Sequence, residues 1–359
     1  MPHIVVLGAG VIGLSSALRI QAEGHTVTIV ARDFPAGSET VDAASQINYT
    51  SPWGGAHNRL VPPTTASEER EHAMSLRTYD HMRAVHRRHP EAGITFMKGI
   101  EYLEAPSEAY RALTVDKARN QLKMQGFRLL RNEELPKGVT WGCEYDTWCV
   151  NPMVYCSFLL RRFAMFGGKV LKREVRDPRE VFYWKFDAGP VGTLVNASGN
   201  GFGDENMFIT RGQTCLVANP CPVTISRQNA DGSWTFSVPR NFDGGTIIGG
   251  TKEPNNWDPN PSPEVRETIL RNFAATYPQI LGAEGKFTVM KDIVGRRPTR
   301  KGGMRLEAES VDVDVDGNKR IIHAYGLGGR GYELSWGVAD QVARLLAEQS
   351  DFTSRSSNL

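Results

Sequence analysis

Residues 3–24 read His3-Ile4-Val5-Val6-Leu7-Gly8-Ala9-Gly10-Val11-Ile12-Gly13-Leu14-Ser15-Ser16-Ala17-Leu18-Arg19-Ile20-Gln21-Ala22-Glu23-Gly24. The apolar, β-branched run before Gly8 predicts a buried strand, and the stretch from Leu14 to Ala22 predicts a helix that Gly24 ends. Between them lies G-x-G-x-x-G. A glycine pattern alone is a weak signal; strand, glycines and helix in this order predict a dinucleotide site. Gly8 permits the tight turn, Gly10 lets a pyrophosphate approach the backbone, and Gly13 lets helix and strand pack closely. The helix N-terminus then points unpaired N–H groups and a positive dipole end at the phosphates. Thr26–Ala31 is a second strand and completes a βαβ unit. Arg32-Asp33 stands at its end, where an acidic residue would meet the adenosine ribose.

The chain's 359 residues exceed one ordinary core and fit two domains. With 40% apolar and 23% charged residues, the chain reads as globular rather than disordered. Lys plus Arg is 42 and Asp plus Glu is 40, a net +2 that offers no nucleic-acid footprint. No run of about 18 apolar residues predicts a membrane span, and the N-terminus does not read as a secretory signal. The five cysteines, at 143, 149, 156, 215 and 221, include no C-x-x-C pair, so they read as reduced, mostly buried thiols, with no metal spacing.

Helices are expected over 67–90, 108–126, 152–166, 263–277 and 334–348. Strands are expected over 95–104, 141–150, 169–176, 192–196, 208–217, 233–239, 246–250, 287–295 and 320–325. The run of short strands from 207 to 295 predicts a mostly antiparallel sheet separate from the nucleotide domain. Ser198-Gly199 and the loop Gly326 to Tyr332 are two more places where backbone can approach a cofactor.

With these residues in view, the chain resembles the D-amino-acid oxidase family of flavoproteins. The matching motifs are the N-terminal glycine run, Tyr49 to Ala56, Arg211-Gly-Gln-Thr214, Ile248-Gly-Gly-Thr251, Val294-Gly-Arg-Arg-Pro298, and His323 to Gly326 with Ser335-Trp-Gly337. The resemblance implies an α/β fold: a Rossmann-like FAD-binding domain (1–57, 150–205, 296–359) interleaved with a substrate domain on a mostly antiparallel sheet (58–149, 206–295). It implies FAD as cofactor, held by Gly8, Gly10, Val11, Ile12, Gly13, Arg32, Asp33, Ser45, Gln46, Gly54, Gly55, Val175, Ser198, Gly199, Gly328, Gly329, Gly331 and Tyr332. It further implies a D-amino acid and O2 as reactants, with no nucleic acid and no membrane, and it allows a homo-oligomer.

For the substrate, Arg297 is the expected two-pronged clamp on the α-carboxylate. Lys252 stands where neutral-substrate enzymes carry tyrosine and D-aspartate oxidases carry arginine. Phe236 lacks the hydroxyl of the tyrosine at its place. Arg227 is a candidate second cation, and His57, Asn58, Gly329 and Tyr332 complete the expected substrate set. No residue is assigned as acid or base, and the roles of Glu333 and Arg296 are open. The resulting expectation is an oxidase of acidic D-amino acids, D-aspartate preferred, releasing 2-oxo acid, ammonia and hydrogen peroxide. The alternatives are a neutral-substrate D-amino-acid oxidase, a flavin-bound binding protein without turnover, and a nicotinamide-dependent dehydrogenase sharing only the first βαβ unit. Ser357-Asn358-Leu359 resembles the S-K-L address of the peroxisomal matrix, with an import receptor as partner.

Overall fold

The computed structural model describes residues 3–36, 47–313 and 319–356. Ser45, Gln46 and the terminal Ser357-Asn358-Leu359 therefore lie outside the described residues. In chain order the strands are β1 (His3–Leu7), β2 (Thr26–Ala31), β3 (Ala56–His57), β4 (Ile94–Leu103), β5 (Arg128–Leu129), β6 (Trp141–Val150), β7 (Lys169–Lys172) and β8 (Val191–Asn196). They continue with β9 (Met207–Val217), β10 (Val223–Gln228), β11 (Trp234–Pro239), β12 (Thr246–Gly249), β13 (Glu253–Pro254), β14 (Val289–Arg300), β15 (Arg305–Val311) and β16 (Lys319–Tyr325). The α-helices are α1 (Val11–Ala22), α2 (Ala66–Arg88), α3 (Glu108–Arg111), α4 (Pro152–Met165), α5 (Pro263–Thr276) and α6 (Gly331–Ser356).

The chain divides into two compact units: Met1–Ser45, Cys156–Ile209 and Arg297–Leu359 form the first, Gln46–Tyr155 and Thr210–Arg296 the second. Residues 46–57 fall in the second unit rather than with the nucleotide domain, because β3 joins its sheet: Ala56 pairs with Val150 and His57 with Cys149.

The first unit carries a six-stranded sheet in the order β15-β16-β8-β1-β2-β7. It is parallel except for β15 against β16. The chain leaves β1 for β2 on one side and later fills β8 on the other, so β1 is the switch point where such sheets bind ligands at their carboxyl ends. Helix α1 packs on α6. Its small residues permit the approach: Ser15 Oγ donates to Val11 O at 2.7 Å and to Ser335 O at 3.3 Å.

The second unit is built on a ten-stranded sheet, β13-β9-β12-β11-β10-β4-β6-β3, with β14 on β9 and β5 on β6. Among the ladders described, only β4 with β10 is parallel. Helix α5 covers one face through a core that includes Tyr102, Cys215, Val217, Ile225, Ile248, Ile269 and Phe273. Helix α2 is fixed by a capping box: Thr65 Oγ1 accepts from the Glu68 N–H while Glu68 accepts from the Thr65 N–H. The start expected near Ser67 thus lies at Thr65. The helix expected over 108–126 is instead α3 followed by a π-turn over Lys117–Gln121. The Lys117 N–H turns to the Thr114 hydroxyl, and Leu113, Ala118, Leu122 and Met124 bury into a local core. All five cysteines are buried and free of disulfides.

Candidate functional site

In the first unit four segments converge on the amino end of α1. Gly8 has φ +102, and a Cβ there would lie 2.5 Å from Ala197 O and 3.0 Å from Ser198 Cα. A Cβ on Gly13 would lie 1.9 Å from Gly8 O. These two glycines are required by the protein's own backbone. Gly10 differs: at φ −75, ψ 178 it adopts extended backbone open to any residue, and it caps α1 with no side-chain bond to the first-turn N–H groups. With no capping side chain from Gly10, the positive end of the helix dipole suits an anionic group, so a pyrophosphate fits the cradle.

The turn after β8 supplies Ser198 and Gly199. Asn196 Oδ1 accepts from the Ser198 hydroxyl at 2.7 Å and its N–H at 3.3 Å. Gly199, at φ +81, lets Pro298 approach to 3.1 Å of where its Cβ would be. Pro298 adjoins Arg297, so the expected carboxylate clamp rides on a segment seated against this turn. Thr299 then bridges to Leu327 at the edge of the last glycine loop. A Cβ on Gly328 would meet Thr299, and one on Gly331 would lie 3.6 Å from Val11 Cγ1, while Gly329 stands in open space. Arg297 itself is half-buried.

Around this cradle, Arg32 Nε pairs with Asp33 Oδ2 at 2.9 Å at the end of β2, and Val175 packs on the first unit's core. Tyr332 places its hydroxyl 3.1 Å from Cys156 Sγ, within the same unit. Burial pushes that thiol up to about 12, so it stays protonated. Glu333 pairs with Arg330 at 2.8 Å, which accounts for a carboxylate at this place.

In the second unit, strand register decides which candidates share a face. Phe236 lies opposite Gly249 on β12 and Ser226 on β10. A Cβ on Gly249 would fall 2.0 Å from the Phe236 ring, so the ring covers that glycine. A Cβ on Gly55 would meet Ile247, Val238 and Phe236, which makes Gly55 a packing position on this sheet. The Gly54 carbonyl is held by Arg240 Nη2 at 3.0 Å.

Arg227 is one residue from Ser226 and so projects from the opposite face. There it donates to Glu104 at 2.9 and 2.5 Å, to Thr276 Oγ1 at 3.1 Å and to Lys137 O at 2.8 Å. This occupied guanidinium anchors β10 to α5, and Arg227 is removed from the substrate set. Arg227→Leu should cost about 2–4 kcal/mol of stability, since Glu104 loses its partner in a largely buried place. Thermal melting should fall while the ratio of activities on acidic and neutral substrates stays unchanged.

Asn58 is likewise withdrawn. It is fully buried, its side-chain oxygen accepting from Ser75 Oγ at 2.9 Å and its backbone carbonyl from Thr147 at 2.7 Å, so it fastens α2 to the sheet. His57 is depressed to about 3, first by burial and then by the Arg59 charge, and its Nδ1 has no hydrogen-bond partner among the described residues. It is neutral near pH 7 and cannot serve as a cationic contact.

Sequence reading missed a buried ionic cluster next to these residues. Arg59 pairs with Glu101, which also accepts from the Tyr110 hydroxyl at 3.1 Å, and the guanidinium lies 4.3 Å over the Trp234 ring. Arg59 follows His57 by two residues and Glu101 falls inside a strand, so no local spacing signals the pair.

Lys252 follows the Gly249-Gly250 turn, exposed, and makes no ion pair among the described residues. Its neighbour Glu253 is taken by Arg211, at 2.9 and 3.0 Å. Arg211 also binds the carbonyls of Asp258 at 2.8 Å and Asn260 at 2.5 Å, fixing the loop that begins at Lys252. Arg296 lies over the Trp257 ring at 5.1 Å and donates to its carbonyl, giving that open position a structural contact.

A switch-point dinucleotide cradle in one unit and a large antiparallel sheet in the other define a two-part dinucleotide-dependent oxidoreductase. The chain belongs to the FAD dependent oxidoreductase family, whose model matches residues 3–345. A D-aspartate oxidase of Talaromyces thermophilus is 42% identical over 99% of this chain and 98% of that protein. A D-amino-acid oxidase of Fusarium vanettenii is 31% identical over 96% of each. Glycine oxidase from Bacillus cereus shares the fold, with a TM-score of 0.69 at 16% identity, covering 97% of this chain and 96% of that one.

Proposed function

We propose that this flavoenzyme oxidises acidic D-amino acids, with D-aspartate preferred. The observation that carries the reading is Lys252: a cation with no ion pair among the described residues, beside a carboxylate that Arg211 has taken. Full-length similarity to a D-aspartate oxidase supports the same reading. FAD, which Gly8, Gly10 and Gly13 would hold by its pyrophosphate, would supply the two-electron acceptor for oxidation of the substrate amine, with O2 as the final oxidant and hydrogen peroxide as its product. The imino acid left behind hydrolyses to 2-oxo acid and ammonia.

The chain's own residues bind and orient. The guanidinium of Arg297 holds the α-carboxylate as a planar fork, which limits the orientations of Cα. The amine reaches its reactive form by losing a proton to solvent, a step that asks nothing of the neutral His57. Lys252 takes the side-chain carboxylate. Phe236 offers no hydroxyl to compete for it.

Exposure of Lys252 sets the size of the effect. An exposed lysine is not penalised when a neutral substrate leaves it unpaired, so it favours acidic substrates without strongly rejecting others. Lys252→Tyr should lower kcat/KM for D-aspartate about tenfold, the worth of one charge-assisted hydrogen bond of about 1.5 kcal/mol. D-alanine should be turned over at the unchanged rate. Peroxide release on the two substrates measures the ratio, and a ratio unmoved by the substitution removes Lys252 from specificity.

A further inference from the structure

The turn that abuts the dinucleotide loop is held from the far edge of the first unit's sheet. Asn196 ends β8, and its register partner on β16 is His323. The Ser198 backbone N–H can only donate, so the Asn196 atom it meets at 3.3 Å is the amide oxygen, and the other amide atom is a donor. That Nδ2 lies 3.5 Å from His323 Nδ1, which must then accept. The imidazole proton therefore sits on Nε2 and is donated to Glu309 of β15 at 3.0 Å. Glu309 in turn accepts from Arg305 Nη2 at 2.8 Å. His323 is only 5% exposed. Burial, with the Arg305 charge, keeps its pKa below the usual histidine value, which favours the neutral ring that this chain of bonds needs.

We propose that His323 is a positioning residue for the cofactor: as a neutral Nε2–H tautomer it fixes the Asn196 amide, and Asn196 fixes the Ser198-Gly199 turn against the Gly8 loop. The same turn seats Pro298 beside Arg297. Reversing the amide would turn a donor toward the Ser198 N–H and release the turn. The polarity of one ring thus reaches the cradle through the Asn196 side chain.

Two measurements test this. In His323→Gln, the amide can accept from Asn196 and donate to Glu309, whereas His323→Leu can do neither. FAD affinity, followed by the fluorescence of flavin released on dilution, should weaken about tenfold or more in His323→Leu. In His323→Gln it should stay within about threefold of the parent. Melting of the flavin-free proteins runs in parallel. If Leu and Gln variants lose FAD equally, or if the Leu variant folds and holds FAD as the parent does, the proposal is overturned. Nitrogen chemical shifts of His323 in the unsubstituted holoprotein provide the second test, independent of whether the variants fold. A bare Nδ1 with protonated Nε2 is expected, and a protonated Nδ1 near neutral pH would overturn the assignment.

Discussion

Gly10→Val is expected to yield a folded protein that purifies without yellow colour. The substitution suits the backbone, which is extended at φ −75 and ψ 178, so the parent turn can form. What it obstructs is the approach of a pyrophosphate to the first-turn N–H groups of α1. Loss of two such charge-assisted bonds is about 3–6 kcal/mol, or roughly a hundredfold to ten-thousandfold in FAD affinity. Flavin absorbance per mole of protein, with circular dichroism to confirm folding, reads the outcome. Full flavin content in a folded variant would show that the pyrophosphate lies elsewhere. Gly8 and Gly13 are poorer probes, because a Cβ at either collides with the protein's own carbonyls.

The second large effect is expected at Arg297. Removing a two-pronged guanidinium–carboxylate contact in Arg297→Leu should lower kcat/KM by about 3–5 kcal/mol, more than a hundredfold, for every amino acid tested. Arg297→Lys should recover only part, since a point charge does not reproduce the fork. The uniformity of the loss separates this residue from Lys252, whose replacement should alter D-aspartate alone. Steady-state oxygen consumption with two substrates distinguishes the two patterns. Unchanged turnover in Arg297→Leu would exclude the clamp.

What could be read in the sequence follows the range of the physics behind each feature. The Gly8–Gly13 run, α1 and β2 are set by neighbours within thirty residues; β2 is found at Thr26–Ala31 as expected, and α1 starts at Val11, inside the glycine run, rather than at Leu14. The glycines near Ser198 and Gly328 also signal themselves locally, although their convergence on α1 is visible only in the fold. Arg227 shows the opposite case. Its position in the chain resembles that of a pocket cation, but the side it faces depends on β10–β11 register, and one residue separates it from the face of Phe236. Asn58 adjoins His57 and for the same reason points elsewhere. Strand β15 carries only a weak signal: it is an edge strand rich in charge, Arg305-Leu-Glu-Ala-Glu-Ser-Val311, in which Leu306 and Ala308 alone alternate with charged residues. A single helix is expected over 108–126, yet its apolar residues pack into a local core and Thr114 diverts the backbone N–H of Lys117.

Peroxide production by the unsubstituted holoenzyme on D-aspartate, D-glutamate and D-alanine, side by side, reads the substrate class directly. The highest kcat/KM is expected for D-aspartate, with D-alanine lower by about tenfold or more, the margin of one cation contact. A higher kcat/KM for D-alanine than for D-aspartate would contradict it and make the protein a neutral-substrate D-amino-acid oxidase.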